Sequence, residues 1–337
     1  MNRFNRINKI VGALLVGILL VSLTACTSSQ NQQPQSESLK KVTIVLDWTP
    51  NTNHTGLYVA QSKGFFQEQG LEVEIIQPSE GTSDTLVAAG TAQFGISYQE
   101  NVTFARAEGV PLVSLAAVIQ HNTSGFASLK DKNILSPKDF EGRIYGGWGS
   151  ALEEATIKYL MDQAGADFSK VKIMTTGDAD FFQASASGQI DFAWIFEGWA
   201  GIEAKQKGMD LNYIDLGKEA PVFDYYTPVI ITNETLLKED EKLVEAFMTG
   251  AKKGYEYAIK NPDEAADILI LGAPEIDKEL VKESQNFLSE RYQADAASWG
   301  LQREEVWQRY TDWLFENGFI KEKVDVTKAF TNQFVGK

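Results

Sequence analysis

The feature that most constrains the fold is a succession of predicted elements that occurs twice along the chain. Each copy starts with a short apolar strand, at 42–46 and at 143–145, and a tryptophan follows it, Trp48 in the first copy and Trp148 in the second. A helix, a second strand, a turn with an N-cap signal, a helix that ends at a glycine and a third strand come next in both copies. The sequence therefore predicts an α/β fold with two βαβαβ units, each a mostly parallel sheet flanked by helices.

The segment after the second copy indicates how the two units are arranged. A strand is predicted at 229–232, and apolar residues at helical spacing follow it towards the C-terminus. We therefore predict two lobes joined by two chain crossings, with a hinge at the crossings and a ligand cleft between the lobes. The predicted boundaries are 40–127 plus 229–337 for lobe 1 and 128–228 for lobe 2.

The first 39 residues have the composition of an export signal followed by a tether. Basic residues precede an apolar run at 10–21, which is shorter than the about 20 residues of a membrane-spanning helix. The letters L-T-A-C at 23–26 resemble a bacterial lipobox, so 1–25 is predicted to be a signal peptide and Cys26 the site of lipidation. Residues 26–39 then form a flexible, lipid-anchored tether. The alternative is an ordinary secretory signal or an uncleaved anchor, in which the cysteine is incidental.

Charge and composition argue against several classes of function. The chain has 46 acidic and 31 basic residues, a balance that disfavours binding to nucleic acid or to a membrane surface. Its single cysteine rules out an internal disulfide. The motifs G-x-S-x-G, H-E-x-x-H, C-x-x-C and the P-loop are absent, and two histidines far apart in sequence form no metal-ligand pattern. We therefore expect a monomeric binding protein, not an enzyme, with no metal and no cofactor.

Loops at the carboxyl ends of the predicted strands form the candidate binding surface, because α/β sheets bind ligands there. Lys and Arg are absent from five such loops: 47–56, 97–103, 145–152, 194–203 and 220–229. The loops hold aromatic rings and carboxylates, among them those of Asp47, Glu100, Glu197 and Asp224. Aromatic rings suit a planar heteroaromatic ligand, and a carboxylate can accept hydrogen bonds from its amine. The predicted ligand-binding residues are Asp47, Trp48, Asn51, His54, Tyr98, Gln99, Trp148, Glu197, Trp199 and Tyr225.

Some of these residues have a second interpretation. His54 could bond the ligand or cap the helix that follows it, and Glu197 could accept from the ligand or supply negative charge at a helix N-terminus. Trp199 could be a wall of the site or part of the core. The glycine-rich stretch 146–150 precedes a helix and resembles an anion cradle, although it could equally hold a neutral carbonyl.

The letters D-W-T-P-N-T-N-H-T-G-L at 47–57, with K-G-F-F at 63–66 and G-L-E-V at 70–73, resemble the NMT1/THI5-like family. The similarity extends over residues 40–330, and the chain resembles more closely the bacterial lipoproteins that bind pyrimidine precursors of thiamine for ABC importers. This resemblance implies a periplasmic-binding-protein-like fold of type II, an ABC permease and its ATPase as partners, and an extracytoplasmic location. The implied ligand is a 4-amino-2-methylpyrimidine that carries a formylaminomethyl or a hydroxymethyl group.

Three other functions stay open. Eukaryotic relatives are enzymes that make the pyrimidine from pyridoxal phosphate and a histidine of their own chain, and they carry a C-C-C-F-C segment. This chain has no cysteine after Cys26, so that chemistry is not expected even though His54 falls in the matching loop. A binding protein for sulfonate, nitrate or another small ligand has the same fold, which does not distinguish between these functions. A sensor that docks on a receptor instead of a permease is the third.

Overall fold

The computed structural model describes residues 38–78, 82–176 and 181–336. The predicted signal peptide, Cys26 and nearly all of the predicted tether lie outside these residues, as does the turn predicted at 177–180. Within the three described ranges, no helix combines the length and the apolar composition that a bilayer crossing requires.

Strands and helices alternate along most of the described chain. The strands are β1 Lys40–Val45, β2 Leu71–Ile76, β3 Phe94–Ser97, β4 Leu112–Ala117, β5 Ser124–Leu129, β6 Ile144–Gly147, β7 Lys172–Thr175, β8 Phe192–Phe196, β9 Leu211–Asp215 and β10 Val229–Asn233. The α-helices are α1 Thr55–Ser62, α2 Ser83–Ala88, α3 Gln99–Ala107, α4 Ala151–Gln163, α5 Phe181–Ala186, α6 Ile202–Gln206, α7 Leu216–Glu219, α8 Glu234–Glu239, α9 Glu241–Lys260, α10 Pro262–Gly272, α11 Lys278–Ser289 and α12 Glu304–Glu316.

Two five-stranded sheets are built in the same way, one around each predicted βαβαβ unit. The first sheet has the strand order β2-β1-β3-β10-β4 and the second β7-β6-β8-β5-β9. In each sheet the first strand of the unit lies between the second and the third and is parallel to both. The prediction of two βαβαβ units is therefore confirmed.

One strand of each sheet, β10 or β5, runs opposite to the other four, so the predicted mostly parallel sheets are confirmed. β10 pairs antiparallel with β3 and β4, and β5 pairs antiparallel with β8 and β9. β5 follows β4 of the first sheet along the chain, and β10 follows β9 of the second. Each chain crossing thus delivers one antiparallel strand to the sheet that it enters.

The pairing of β5 bears on the boundary between the lobes. Ser124–Leu129 pairs with strands of the second sheet on both sides, so a boundary between 127 and 128 would divide one strand between two lobes. We therefore propose that the first crossing lies before Ser124. The second predicted boundary, between 228 and 229, coincides with the start of β10.

Glycines end the second helix of each unit at matching positions. Gly90 comes two residues after α2 and Gly188 two residues after α5. Both have a φ of +72°, the left-handed conformation that glycine adopts without the steric cost of a Cβ atom. The helix–glycine–strand pattern that relates the two halves of the sequence therefore has the expected conformational basis.

Separate aromatic clusters pack against each sheet. Phe247 of α9 stacks on Phe94 of β3 with a centroid separation of 3.8 Å. Phe126 of β5 packs edge-on against Phe140 and Phe192, at 5.3 and 5.8 Å. Because protein interiors are packed as densely as organic crystals, these clusters hold the strands firmly and fix where the loops at their carboxyl ends begin.

Candidate functional site

Trp48 and Trp148 are exposed at equivalent places in the two units. Trp48 follows β1 and keeps 58% of its surface exposed, while Trp148 follows β6 and keeps 53% exposed. By contrast, Trp299 and Trp307 are fully buried. Because large apolar side chains are usually withdrawn from water, two open rings at strand ends are surface that a planar ligand could cover.

Asp47 is the centre of a hydrogen-bonded group at the carboxyl end of β1. Its Oδ1 lies 2.6 Å from Nε2 of His54, and its Oδ2 accepts a hydrogen bond from the hydroxyl of Tyr98 at 2.5 Å. Burial acts to raise the pKa of Asp47, but the His54 ring and the hydrogen bonds from His54 and Tyr98 outweigh it, so the pKa is lowered. Asp47 is therefore held in place as an ionised carboxylate.

His54 orients this carboxylate from beneath and has no exposed surface of its own. The backbone N–H of Asn51 donates to Nδ1 of His54 at 3.2 Å, so Nδ1 carries the lone pair and Nε2–H donates to Asp47. The Asn51 side chain accepts from the N–H of Asn53 at 2.9 Å and donates to the carbonyl of Thr49 at 3.0 Å. His54 and Asn51 thus shape the loop that presents Asp47.

Gln99 and Tyr225 lie beneath the surface and join β3 to the second crossing. Gln99 is fully buried, and its Oε1 accepts from the N–H of Tyr226 at 2.9 Å while its Nε2 donates to the carbonyl of Val306 at 3.3 Å. Tyr225 is buried with its ring centroid 4.4 Å from that of Tyr310. In this conformation both residues contact the protein instead of the open edge of the sheet.

Glu197 begins a π-helical turn, Glu197–Gly201, directly after β8. Its N–H donates to the carbonyl of Thr123 at 2.9 Å, and none of the described residues donates a hydrogen bond to its carboxylate. Burial raises the pKa of Glu197; Arg291 acts to lower it and Asp215 to raise it. An acceptor without a protein partner in the second unit fits the predicted ligand-binding role.

Trp199 of the same turn is half-buried against three helices. Its ring packs on an apolar cluster that includes Tyr58, Leu269 and Val281, from α1, α10 and α11. The environment of Trp199 is therefore that of a core residue and not that of a wall of the site.

The glycine-rich stretch 146–150 holds a carboxylate of the chain itself. Oε1 of Glu153 accepts from the N–H of Trp148 at 3.0 Å and from the hydroxyl of Tyr145 at 2.6 Å. Oε2 of Glu153 accepts from the N–H of Ser150 at 2.9 Å. Two of the backbone donors expected to cradle an external anion or carbonyl, the N–H groups of Trp148 and Ser150, are therefore already used.

Glu100 is a carboxylate that we noted in the loops but did not include among the predicted binding residues. It lies in the first turn of α3, and its Oε2 is enclosed without a hydrogen-bond partner. Burial, above all, raises the pKa of Glu100 to about 8; Asp84 adds to the effect, and the nearby Tyr225 hydroxyl acts against it. The enclosed oxygen is a feature of packing that no sequence pattern signals.

His121 joins the two chain crossings. Its Nδ1 lies 2.8 Å from Oδ2 of Asp224, and its Nε2 lies 3.0 Å from Oδ1 of Asp295. The hydrogen bond with Asp224, and then the charges of both carboxylates, raise the pKa of His121 to about 9. Asp224, which also accepts from the N–H of Asn122 at 3.0 Å, is engaged at the hinge.

Four predicted site residues thus meet in one hydrogen-bonded group, which consists of Asp47, Asn51, His54 and Tyr98, and Trp48 is adjacent to it in sequence. The described residues contain no group of three or more His, Cys, Asp or Glu side chains placed to hold a metal ion. The group fixes one negative charge in a single orientation, and 6% of the Asp47 side chain is exposed.

Comparison with known proteins assigns the chain to a family. Residues 51–265 match the model of the NMT1/THI5-like family, which is more than half of the chain. The chain belongs to the NMT1/THI5-like family. It is 31% identical to the formylaminopyrimidine-binding protein of Halalkalibacterium halodurans over 329 residues, which span 94% of this chain and 98% of that protein.

Other relatives in sequence and solved structures with the same fold carry names that indicate different activities. The chain is 26% identical to the 4-amino-5-hydroxymethyl-2-methylpyrimidine phosphate synthase of Legionella pneumophila over 302 residues, 88% of this chain and 93% of that protein. The periplasmic aliphatic sulphonate binding protein SsuA from Escherichia coli superimposes with a TM-score of 0.68 at 14% identity, covering 87% of this chain and 97% of that one. The periplasmic-binding-protein-like fold is therefore established.

Proposed function

We propose that this protein is an extracytoplasmic solute-binding protein that captures a thiamine-precursor pyrimidine and delivers it to an ABC permease and its ATPase. The proposed ligand is N-formyl-4-amino-5-aminomethyl-2-methylpyrimidine or its hydroxymethyl analogue. The observation that carries the proposal is the ionised Asp47 carboxylate, oriented by His54 and Tyr98 and followed in the chain by Trp48, whose ring is exposed.

The chemistry of this edge suits an aminopyrimidine. An oriented carboxylate accepts hydrogen bonds from an exocyclic amine, and a tryptophan face stacks on the ring. Glu197 of the second unit supplies a second acceptor, and Trp148 a second aromatic surface. A sulfonate or nitrate would need fixed cations, but Lys and Arg are absent from the five loops and Glu153 fills the loop at 146–150.

A binding role is favoured over a synthase role by the state of His54. Both of its ring nitrogens are engaged, one by the Asn51 N–H and one by Asp47, and the ring is fully buried. A histidine that is consumed as a substrate must be reached by its co-substrate. The lack of any cysteine after Cys26 also separates this chain from the cysteine-rich synthases.

A ligand panel tests the proposal directly. Formylaminopyrimidine and hydroxymethylpyrimidine should raise the melting temperature of the purified protein, whereas taurine, nitrate and sulfate should leave it unchanged. At about 100 times the dissociation constant, a ligand stabilises the folded state by roughly 2.7 kcal/mol. A shift with taurine or nitrate and none with the pyrimidines overturns the ligand assignment. Mass spectrometry of the recovered pyrimidine should show no chemical change, and formation of the pyrimidine from pyridoxal phosphate would show that the protein is a synthase.

We also propose that Cys26 carries the lipid that anchors the protein outside the cytoplasm. The motif L-T-A-C at 23–26 after the apolar run supports this proposal. Cys26→Ser should leave the precursor unprocessed or release the protein from the membrane fraction. Unchanged processing and retention of the variant would contradict the lipobox interpretation.

A further inference from the structure

The turn that carries Glu197 lies against one face of α11. Ser284, Phe287 and Leu288 are spaced three and four residues apart, so they lie on the same side of this helix. A Cβ atom at Gly198 would come within 3.1 Å of both Phe287 and Leu288, a distance that would force these side chains to shift. The backbone of the lobe 2 turn is therefore in close contact with a helix of lobe 1.

A serine hydroxyl on this face joins the two loops of the proposed site. Oγ of Ser284 donates a hydrogen bond to the carbonyl of Gly198, next to Glu197. Oγ of Ser284 also lies 2.6 Å from Oγ1 of Thr52, in the loop that presents Asp47. Because a serine hydroxyl has one hydrogen, and Gly198 receives it, the Thr52 hydroxyl is the donor to Ser284. The hydroxyls form a chain from the Asp47 loop to the Glu197 turn.

Ser284 has no other evident reason to be a serine. It is fully buried, and a buried hydroxyl is costly unless it is hydrogen-bonded. Alanine has a higher helix propensity and would avoid that cost. The hydroxyl is used for contacts outside α11, with Thr52 on one side and Gly198 on the other. The packing of Trp199 in its apolar pocket holds the same turn by a second set of contacts.

We propose that Ser284 is a positioning residue for ligand binding, which holds the Glu197 turn at a defined place relative to the Asp47 loop. The proposal rests on the proposed function, because it treats Glu197 as the ligand acceptor of the second lobe. A hydrogen bond weakens steeply as its geometry departs from the optimum, so a small shift of the turn reduces the contact between Glu197 and the ligand amine.

The first experiment needs no ligand. Hydrogen–deuterium exchange of the purified protein should show the amides of 198–201 exchanging on the order of tenfold faster in Ser284→Ala than in the unmodified protein. Ser289→Ala is the matched control, because Ser289 is also buried on α11 but its Oγ donates within the helix, to the carbonyl of Asn286 at 2.8 Å. Equal exchange of 198–201 in both variants and the unmodified protein overturns the proposal.

The second experiment separates positioning from a general structural role. In calorimetric titration with formylaminopyrimidine, Ser284→Ala should weaken binding about threefold to tenfold, and Ser289→Ala should not. In a Glu197→Ala background the same Ser284→Ala change should cost less than about twofold, because the residue through which it acts is gone. Equal losses in both backgrounds contradict positioning through Glu197. If the unmodified protein binds neither pyrimidine, the proposed function fails, and the exchange experiment alone decides whether Ser284 holds the turn.

Discussion

The hydroxyl of Tyr98 donates to Oδ2 of Asp47 at 2.5 Å, so a residue at the end of β3 fixes a carboxylate at the end of the neighbouring strand β1. The two residues are 51 positions apart in sequence and come together because parallel strands end at the same edge of a sheet. Because His54 donates to Oδ1 of Asp47, the carboxylate is fixed in one orientation.

Removal of the Tyr98 hydroxyl should weaken ligand binding. Tyr98→Phe raises the pKa of Asp47 and leaves its Oδ2 without this donor, and we expect affinity for formylaminopyrimidine to fall about threefold to tenfold by calorimetry. Tyr257→Phe is the control, since that hydroxyl donates to Glu264 at 2.5 Å on an exposed part of α9. Unchanged affinity in Tyr98→Phe would mean that Asp47 is not the acceptor.

Glu197 should contribute directly to affinity. A hydrogen bond to a charged group typically contributes about 1.5–3 kcal/mol, so Glu197→Ala should bind formylaminopyrimidine on the order of tenfold to a hundredfold more weakly. Glu197→Gln should recover part of the loss, because the amide keeps one acceptor. Glu203→Ala is the control, since that carboxylate pairs with Lys207 at 2.9 Å on α6. Wild-type affinity in a folded Glu197→Ala variant would point to Asp47 as the main acceptor.

The exposed tryptophans should matter for binding and hardly at all for folding. Trp48→Ala and Trp148→Ala should each weaken binding about tenfold, because an aromatic pair contributes about 0.5–1.5 kcal/mol beyond the area that it buries. The free energy of unfolding of the empty protein should stay within about 0.5 kcal/mol, as for most surface changes. Leu135→Ala, at a side chain that is 69% exposed, controls for loss of surface apolar area. A tryptophan variant with normal affinity would exclude that ring from the site.

Glu100 should make stability fall as the pH rises. Its pKa is about 8 in the folded protein and near the ordinary value of 4.5 in the unfolded chain, so the folded state binds the proton more tightly. Stability is therefore lost progressively from about pH 4.5 to about pH 8. Glu100→Gln should melt higher than the unmodified protein at pH 8.5 but not at pH 4, whereas Glu108→Gln, an exposed change at the end of α3, should be neutral. A pH-independent difference would contradict the assignment.

His121 should also make stability fall as the pH rises, but here the charged form is the stabilising one. Its pKa is raised from 6.5 to about 9, so the stability that it contributes is fully present below about pH 6.5 and is lost as the pH rises through about 9. Because the side chain is half-exposed, the contribution is at most about 1 kcal/mol. His121→Gln should lower the melting temperature at pH 6 and have little effect at pH 10. An equal decrease at both values would mean that the imidazole acts by packing and not by charge.

The three strands of each βαβαβ unit and the strand at 229–232 were predictable from local composition, whereas β4, β5 and β9 were not predicted. The segment 71–76, in which apolar residues alternate with Glu72 and Glu74, is β2 from its first residue to its last, and the glycine that ends each second helix has the expected left-handed backbone. The antiparallel entry of β5 and β10 was not predictable, because apolar alternation does not reveal the direction in which a strand pairs.

The site was predictable as a set of loops and less so as a set of side chains. The direction of a side chain at a helix start is decided by tertiary contacts, and Gln99 faces inward because the Tyr226 backbone lies beside it. The role of Glu153 did leave a signal, since Ser150 followed three residues later by a glutamate is a capping box. His54 was ambiguous because either of its roles is compatible with the loop sequence.

The carboxylate of Glu153 competes with anions from solution for the backbone N–H groups of Trp148 and Ser150. An anion from solution can bind the N–H groups of Trp148 and Ser150 only by displacing a carboxylate tethered five residues from Trp148, whose effective concentration is high. We therefore expect discrimination against anionic solutes to have two sources, the absence of Lys and Arg from the five loops and the engagement of the Trp148 and Ser150 N–H groups by Glu153. A Lys or Arg introduced into these loops by mutation would supply a positive charge but would leave the Glu153 contacts in place. A single change of that kind should therefore not convert this protein into an anion receptor.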